Sequence, residues 1–350
     1  MFDIAQILDT APFSLEKSEK TALYDHAVKD LSLFHYEHCA PYKKICDALN
    51  EPSPFLPVRL FKEYDLLSVP MDEIAKTMTS SGTTGQSVSK IYLDRKNAAD
   101  QTHVLAKITS NFLGSKRLPM LVIDSRSVLK DRNMFSARGS GILGFSMLGR
   151  DVTYALDENM ELDIPVIEAF LEKHTDEDIF LFGFTAMIWE HFYKKLKDIG
   201  KRLPIDRGIM IHGGGWKKLI EQAVDNDTYK ACLDEVAGIK RVYNYYGMVE
   251  QTGSIYMECE CGRLHTSIFS DIIIRDSKDF SICEIGKKGL IQTISLLPTS
   301  YPGHSLLTED EGELTGEDDC QCGRLGKTFK IHGRIKSAEV RGCSDTYEKK

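Results

Sequence analysis

Hydrophobic and polar positions follow two different periods along the chain. Between Ser18 and His38, mostly apolar residues recur every three or four positions, which predicts one face of a long helix. These positions are Leu23, Ala27, Leu31, Phe34 and His38. We therefore expect an amphipathic helix near the N-terminus that packs on a larger body, followed by a Pro-rich connection at 52–57.

Short apolar runs alternate with helical patterns through the middle of the chain. The apolar runs are 120–123, 179–182 and 209–211, and the helical patterns are 165–173, 186–196 and 216–233. Apolar runs of this length between helices are typical of buried, largely parallel strands. The sequence predicts a layered α/β fold with parallel-rich sheets.

The pattern changes after Ser267. Strand-like pieces at 268–274 and 289–297 are separated by turns, which predicts a smaller β-rich region. One further segment, 139–144, matches the dinucleotide pattern GxGxxG, but no apolar strand precedes it. We interpret 139–144 as a loop or a packing feature.

Composition and charge narrow the function classes. The chain has 350 residues, 42% hydrophobic and 27% charged, which is typical of a globular protein with a large core. A net charge of -8 without an extended Lys/Arg block argues against a nucleic-acid partner. No run of about 18 apolar residues occurs and no signal sequence begins the chain, so we expect a cytoplasmic protein without a membrane span.

The cysteines form a pattern of their own. Nine are present, and an odd number in a cytosolic chain argues against a disulfide framework. Two Cys-x-Cys pairs with a nearby histidine could close a structural tetrahedral zinc site, and the alternative is unligated thiols in two turns. The five candidate ligands are Cys259, Cys261, His265, Cys320 and Cys322. The scattered thiols, which we expect to be core or inert, are Cys39, Cys46, Cys232 and Cys283.

A loop at 79–90 combines hydroxyls, glycines and a lysine. Glycine lets the backbone turn tightly around an anion, and N–H and hydroxyl groups donate to phosphate oxygens. The candidate phosphate donors are Ser80, Ser81, Gly82, Thr83, Thr84 and Gly85, with Lys90 as the cation. The spacing excludes the GxxxxGK[ST] P-loop, and the alternative is an ordinary Ser/Gly-rich surface loop.

Four further segments follow this loop in order. Their sequences are His-Gly-Gly-Gly at 212–215, Tyr-Asn-Tyr-Tyr-Gly-Met-Val-Glu at 243–250, Leu-Thr-Glu-Asp-Glu-Gly at 307–312 and Ile-His-Gly-Arg at 331–334. The chain lacks a GxSxG nucleophile elbow, which argues against a lipase-type oxyanion hole at 212–215. With the loop, these segments resemble the adenylate-forming superfamily of acyl-CoA synthetases and luciferases. The resemblance covers most of the chain from Ser80 to Gly342.

The resemblance implies ATP, Mg²⁺ and a set of site residues. The turn Gly213, Gly214 and Gly215 would border the adenine, and Tyr246, flanked by Tyr245 and Gly247, would stack on it. Glu250 would hold Mg²⁺, Asp310 would bind the ribose hydroxyls, and Arg334 would contact ribose or phosphate. The chain departs from the superfamily pattern at Val249, Glu309 and the displaced Lys90.

The end of the chain points to one branch of the superfamily. Residues 1–332 resemble the N-terminal adenylate-forming domain, and 333–350 a hinge remnant with a tail, without the mobile domain of full-length members. Residues 338–345 resemble the LuxE-type acyl-protein synthetases, which are related to phenylacetate-CoA ligase-like proteins that carry similar cysteine pairs. The resemblance implies a fatty acid substrate, Cys343 as acyl acceptor and an acyl-reductase or acyl-carrier partner. Arg341 could help to ionise the Cys343 thiol.

Two other functions stay open from the sequence. One is an acyl- or aryl-CoA ligase of reduced size, which would consume coenzyme A and leave the tail unacylated. The other is a catalytically silent nucleotide-binding partner, which would not exchange pyrophosphate with any carboxylate.

Overall fold

The structure, a computed structural model, describes residues 2–80, 88–129 and 137–335. These residues form two compact units. The first comprises 2–80, 88–108 and 246–335, and the second comprises 109–129 and 137–245. The predicted boundary at residue 332 stays a prediction, because it lies next to residues outside the described part.

Nine α-helices occur in the described residues. They are α1 (Lys17–His38), α2 (Ala40–Leu49), α3 (Leu60–Glu63), α4 (Arg95–Leu113), α5 (Ala137–Ser146), α6 (Ile164–Lys173), α7 (Thr185–Ile188), α8 (Lys194–Asp198) and α9 (Asn226–Ala237). A π-helical turn, Trp189–Tyr193, joins α7 to α8. Short 3₁₀ helices lie at Ile4–Gln6, Met71–Glu73, Arg126–Leu129 and Lys217–Gln222.

The N-terminal helix was predicted correctly in extent but not in its buried face. A capping box between Glu16 and Glu19 starts α1, where four backbone N–H groups would otherwise lack partners. Ala27 and Leu31 are buried as expected, but Leu23 and Phe34 are only partly buried and His38 is exposed. The buried face instead includes the polar residues Lys20, Ser32 and His35, which each find hydrogen-bond partners. A hydrophobic pattern cannot reveal polar residues of this kind.

The second unit is built on a parallel sheet. Its strands are β4 (Leu118–Ser125), β5 (Gly149–Leu156), β6 (Ile179–Phe184), β7 (Gly208–Gly213) and β8 (Arg241–Tyr246). They pair in the order β8-β7-β6-β4-β5, and every pair is parallel. The predicted strands at 120–123, 179–182 and 209–211 are therefore confirmed. The core of this unit is apolar and includes Leu121, Leu181, Met210, Phe192 and Val242.

Two sequence interpretations in the second unit need correction. The segment 216–233 is not one helix, because the 3₁₀ helix ends at Gln222 and α9 begins after Asp225, whose side chain accepts the Thr228 N–H. A side-chain cap at Asp225 starts a new helix there. The GxGxxG segment is helical, within α5, rather than a loop. It is nevertheless a packing feature, because a Cβ on Gly141 would lie 3.0 Å from the Phe184 ring.

The first unit contains antiparallel β-structure. Its strands are β1 (Leu56–Pro57), β2 (Ile74–Thr79), β3 (Lys90–Asp94), β9 (Tyr256–Glu258), β10 (Leu264–His265), β11 (Ser270–Arg275), β12 (Gly289–Ser295), β13 (Ser305–Glu317) and β14 (Lys327–Arg334). Strands β11 to β14 form an antiparallel meander, β14 also pairs with β10, and β1 runs parallel to β13. The predicted β-rich region after Ser267 is confirmed.

None of the helices within the described ranges combines the length and the apolar character that crossing a membrane requires.

Candidate nucleotide site and thiol–imidazole cluster

The candidate phosphate loop begins and ends on a two-stranded hairpin. Strands β2 and β3 pair with Thr79 opposite Lys90. Beyond them, Ser80 N–H donates to the Ser89 carbonyl at 3.1 Å, and Ser89 N–H donates to the Ser80 hydroxyl at 2.9 Å. The two serines close the base of the loop. Ser81, Gly82, Thr83, Thr84 and Gly85 lie outside the described residues, and Lys90 is exposed at the start of β3.

Glu250 is a buried carboxyl near the base of this loop. Glu250 is 8% exposed, and its burial raises the pKa of its carboxyl. The backbone N–H of Glu250, the nearby Ser89 hydroxyl and the charge of Arg334 each act to lower this pKa. The Ser89 oxygen is itself buried and has no hydrogen-bond partner at bonding distance among the described residues. Oxygen atoms without partners at such a place can serve a ligand.

The residues after Glu250 hold it in position. Gln251 is buried and its amide donates to the carbonyls of Thr293 and Gly303, at 3.2 and 2.7 Å. Thr252 N–H donates to the Tyr301 hydroxyl at 2.8 Å. Sequence reasoning missed these supports, although the run of polar residues directly after Glu250 was a visible signal.

Asp310 is the second carboxyl of the site. The Tyr246 hydroxyl donates to its Oδ2 at 2.7 Å, and Arg334 Nε lies 3.5 Å from its Oδ1. Burial raises the Asp310 pKa, and Glu309 adds to the rise, whereas Tyr246 and Arg334 oppose it. The register of β13 and β14 places Asp310 opposite Arg334. The structure thus brings together Tyr246, Asp310 and Arg334, three residues predicted from separate motifs.

Tyr246 has a structural role beside its predicted stacking role. Its ring lies against Tyr256 and Phe329, with centroid separations of 5.9 and 6.2 Å, at the edge of a buried cluster. Packing against these two aromatic rings therefore holds the Tyr246 side chain in position. The predicted contact with adenine stays a prediction.

Glu309, which stands at the glycine position of the superfamily segment, pairs with Arg59 at the N-terminal end of α3. The Glu309 side chain is 11% exposed and the Arg59 side chain 51%. The Glu309 carbonyl also accepts the Ile335 N–H at 3.0 Å. The departure at Glu309 is thus part of an ion pair next to Asp310, which the sequence did not predict.

The glycine turn at 213–215 lies in the second unit, at the end of β7. Gly213 is opposite Tyr245 of β8, and a Cβ on Gly213 would lie 2.7 Å from the Tyr245 carbonyl oxygen. Gly214 has a φ of +77°, in the left-handed region. A Cβ on Gly215 would meet nothing within 4 Å. The Tyr245 ring packs edge-on against Phe145, and Gly247 follows β8.

Four of the five predicted metal ligands come together in the first unit. One ligand atom from each of Cys259, His265, Cys320 and Cys322 lies within 4.8 Å of the others. The Cys259 and Cys320 sulfurs are 3.7 Å apart, and Cys322 Sγ is 3.4 Å from His265 Nε2. Cys261 is exposed and outside this group, and its N–H donates to Cys259 Sγ at 3.3 Å.

Among the three thiols of the thiol–imidazole cluster, the surroundings favour a negative sulfur only at Cys322, because burial raises the pKa of Cys259 to about 11 and also raises that of Cys320. Burial tends to raise the pKa of the Cys322 thiol, but hydrogen bonds from the Arg324 backbone and side chain and from Cys320 outweigh it, so the pKa lies below its usual value. Arg324 also pairs with Glu260 at 2.6 Å. The His265 ring is buried and packs edge-on against Phe13, with centroids 6.1 Å apart.

The other thiols divide as expected where the structure describes them. Cys39, Cys46 and Cys283 are buried and Cys232 is partly buried, as core thiols should be. Cys343 and Arg341 lie outside the described residues.

The sequence of the chain matches one known protein family over almost its whole length. The model of the family described as "Acyl-protein synthetase, LuxE" matches residues 3–350. The chain belongs to this family. It is an AMP-forming ligase that activates an acid as its acyl-adenylate, so the predicted family and enzyme class are confirmed.

Curated relatives agree at low identity and high coverage. The long-chain-fatty-acid–luciferin-component ligase of Vibrio harveyi is 22% identical over 344 residues, which cover 93% of this chain and 87% of the relative. The ligase of the same name from Aliivibrio fischeri is 24% identical over 365 residues, covering 97% and 91%.

A solved structure confirms the fold class. The 2-hydroxyisobutyryl-CoA ligase, in its postadenylation state with 2-HIB-AMP, has a TM-score of 0.69 and 15% identity, and the match covers 93% of this chain and 70% of that one. At this identity the likeness shows the adenylate-forming fold alone.

Proposed function

We propose that the protein uses ATP and Mg²⁺ in the cytoplasm to activate a fatty acid, transfers the acyl group to its own Cys343 as a thioester, and delivers it to a reductase or carrier partner. The LuxE-family membership and the names of the two curated relatives support the substrate class.

The observation that carries this proposal is the pair of buried carboxyls in the first unit. Glu250 and Asp310 both have raised pKa values, which means that each charged form lacks full compensation in the protein. Such a carboxylate is suited to a ligand that supplies the missing partner, a cation at Glu250 and hydroxyl donors at Asp310. A bound Mg²⁺ would neutralise phosphate charge as pyrophosphate leaves.

The protein residues would then act by binding and orientation. Asp310 would accept ribose hydroxyls, held in place by the Tyr246 hydroxyl, and Arg334 would face the ribose or a phosphate. A substrate carboxylate oxygen attacks the α-phosphorus of ATP, and the bond to the pyrophosphate oxygen breaks. The Cys343 thiolate next attacks the acyl carbon, and AMP leaves with the electron pair of the mixed anhydride.

Carboxylate-dependent exchange of labelled pyrophosphate into ATP tests the first step. Glu250→Gln removes the anionic ligand at nearly constant size, and we expect exchange to fall about 100-fold or more. Asp310→Asn should mainly raise KM for ATP. A wild-type protein that exchanges no pyrophosphate with any fatty acid would favour the silent nucleotide-binding alternative.

Labelled fatty acid with ATP tests the second step. Cys343→Ala should abolish covalent acylation and leave pyrophosphate exchange intact, whereas Cys261→Ala, an exposed control, should keep both. Label that remains on the Cys343→Ala protein, or coenzyme A consumption by an unacylated wild-type protein, would contradict the assigned acceptor.

A structural zinc ion is the second part of the proposal. Tetrahedral zinc with Zn–S bonds of about 2.3 Å separates two sulfurs by about 3.8 Å, and a sulfur from an imidazole nitrogen by about 3.5 Å. The observed separations of 3.7 and 3.4 Å fit these values. Three thiolates and one imidazole fill all four positions, so the ion would join the hairpin β9–β10 to the turn between β13 and β14 without acting on substrate.

Metal analysis of the reduced, purified protein tests the zinc site. We expect about one zinc per chain, retained in Cys261→Ser and lost in Cys320→Ser, with chelation lowering the melting temperature. A clearly substoichiometric metal content in the wild-type protein, or equal loss in both variants, would rule out this ligand set.

A further inference from the structure

A buried chain of hydrogen bonds joins the end of β6 to the turn after β7. Thr185, the first residue of α7, has its Oγ1 2.9 Å from His212 Nδ1 and donates to the Gly213 carbonyl oxygen at 3.1 Å. Thr185 is 6% exposed and His212 is 3% exposed. His212 has no part in the function proposed above, and the family resemblance gives a role only to the three glycines that follow it.

The positions of the protons follow from this geometry. A carbonyl oxygen can only accept, so the single Thr185 hydroxyl proton points to Gly213. The contact between Thr185 and His212 then needs a proton from the histidine. His212 must carry its hydrogen on Nδ1, and this donor fixes the direction in which the Thr185 hydroxyl points.

The surroundings keep His212 neutral. Burial lowers the pKa of His212 to about 3, and the charge of Lys230 acts in the same direction. The groups that pack on the ring are neutral. The Tyr229 ring of α9 lies 4.8 Å away between centroids, and its hydroxyl donates to the Thr185 carbonyl at 3.4 Å. Within the described residues, no carboxylate forms a hydrogen bond or an ion pair with the His212 ring.

A neutral Nδ1–H histidine leaves Nε2 with a lone pair. That atom is buried and has no hydrogen-bond partner in the part of the chain that the structure describes. An unpaired buried acceptor is unfavourable. The folded protein therefore carries the unfavourable free energy of an unpaired acceptor at Nε2, and it keeps the hydrogen-bond donor at Nδ1.

We propose that His212 and Thr185 are positioning residues that fix the Gly213 carbonyl, and with it the conformation of the turn at 213–215, through an Nδ1–H tautomer of His212. The effect on catalysis rests on the proposed function, together with the expectation from the sequence that this turn borders the adenine of ATP. His212 acts through Thr185 and touches no substrate itself.

The tautomer can be measured directly in the wild-type protein. In a sample labelled with ¹⁵N-histidine at pH 7.5, the His212 signals are those that disappear in His212→Asn. We expect a protonated nitrogen at Nδ1 and an unprotonated one at Nε2, unchanged down to pH 5. A proton on Nε2, or a charged ring at this pH, would overturn the proposal.

Matched variants test the positioning role. Thr185→Val removes the hydroxyl at constant size and should raise KM for ATP about five-fold with little change in kcat, whereas Thr185→Ser should behave as wild type. His212→Asn keeps a hydrogen-bond donor near the Nδ1 position, and His212→Leu does not. We therefore expect His212→Asn to retain most of the ATP affinity and His212→Leu to resemble Thr185→Val. Melting temperatures identify variants that fail to fold.

The outcomes separate this inference from the proposed function. If the wild type binds ATP and Asp310→Asn weakens that binding, but Thr185→Val leaves KM unchanged, the positioning role is wrong and the proposed function stands. If the wild type neither binds ATP nor exchanges pyrophosphate, the proposed function fails, while the tautomer measurement still decides the structural part.

Discussion

Single charges near Asp310 set the electrostatics of the candidate ribose site. The negative charge of Glu309 raises the Asp310 pKa. Arg59, at the N-terminal end of α3, forms an ion pair with Glu309. Strand β1 brings Arg59 there, because Leu56 and Pro57 pair with Leu306 and Leu307 of β13. The ion pair therefore offsets a charge that would otherwise act on Asp310.

Charge reversal at Arg59 tests the importance of this pair. Arg59→Glu would place two carboxylates side by side next to Asp310, and we expect KM for ATP to rise about five-fold in pyrophosphate exchange. The double variant Arg59→Glu with Glu309→Arg restores an ion pair and should return KM to within about two-fold of wild type.

Lys44→Glu, at an exposed position of α2, provides a matched control, because it reverses a charge of the same sign on another helix of the first unit. It should leave KM for ATP unchanged. An equal effect of Arg59→Glu and Lys44→Glu, or a double variant no better than the single one, would mean that the pair has no local role.

The candidate site residues predicted from the sequence all belong to local motifs, and the prediction missed the residues that the fold brings next to them. Glu250, Asp310 and Arg334 each stand in a short recognisable segment. Arg59 is separated from Glu309 by 250 positions, and Gln251 from the Gly303 carbonyl by 52. No local pattern encodes such pairings, because they depend on strand β1 and on the loop before β13 reaching the same place.

At the scale of single elements, the glycine turn at the end of β7 contains two glycines that the fold requires for different reasons and a third that it does not require. Gly213 is required by the close approach of β8, and Gly214 by its positive φ. Gly215 has neither reason among the described residues, since the space around it is open. Its open space is compatible with a ligand that approaches the backbone there.

A pair of alanine substitutions separates these needs. Gly213→Ala would put a methyl group 2.7 Å from the Tyr245 carbonyl oxygen, and we expect a loss of about 1–3 kcal/mol in the free energy of unfolding in urea. Gly215→Ala should unfold as wild type does. If Gly215→Ala is as unstable as Gly213→Ala, the packing explanation for Gly213 is insufficient.

The elements themselves were predictable where burial is purely apolar. The parallel strands β4, β6 and β7 are continuous apolar runs, so their pattern was sufficient. The prediction was wrong at 216–233, where the Asp225 cap interrupts an otherwise helical pattern. It was incomplete for α1, where Lys20 is buried because Asp271, Thr266 and the Ser270 carbonyl accept its three hydrogens.

At the scale of the whole molecule, four buried histidines among the described residues have lowered pKa values, and the three that lie outside the thiol–imidazole cluster are His35, His212 and His304. His35 and His304 stack in the first unit with centroids 5.0 Å apart, and His212 lies in the second. Burial lowers the pKa of His304 and of His212 to about 3, and burial also lowers that of His35 well below its usual value. Each has a polar contact that suits a neutral ring, such as Ser32 at 2.9 Å from His304 Nε2.

These lowered pKa values predict a loss of stability in mild acid. The unfolded chain binds protons at these histidines below pH 6.5, whereas the folded protein does not until about pH 3 for His304 and His212. The contribution of these neutral histidines to the free energy of unfolding is therefore present above pH 6.5 and is lost as the pH falls below this value. Each buried histidine should lower the free energy of unfolding by about 1.4 kcal/mol per pH unit once the unfolded histidine is mostly protonated, below about pH 5.5.

Urea unfolding between about pH 6.5 and pH 5 measures this slope, above the range in which paired carboxylates titrate in the unfolded chain. His304→Gln keeps a nitrogen near Ser32 but cannot titrate, so its slope averaged over this pH range should be smaller by about 1 kcal/mol per pH unit. The raised pKa values of Glu250 and Asp310 act with the opposite sign, and the difference between variant and wild type cancels them. Equal slopes for wild type and His304→Gln would show that His304 is protonated in the folded protein, and the neutral stacked pair would then be wrong.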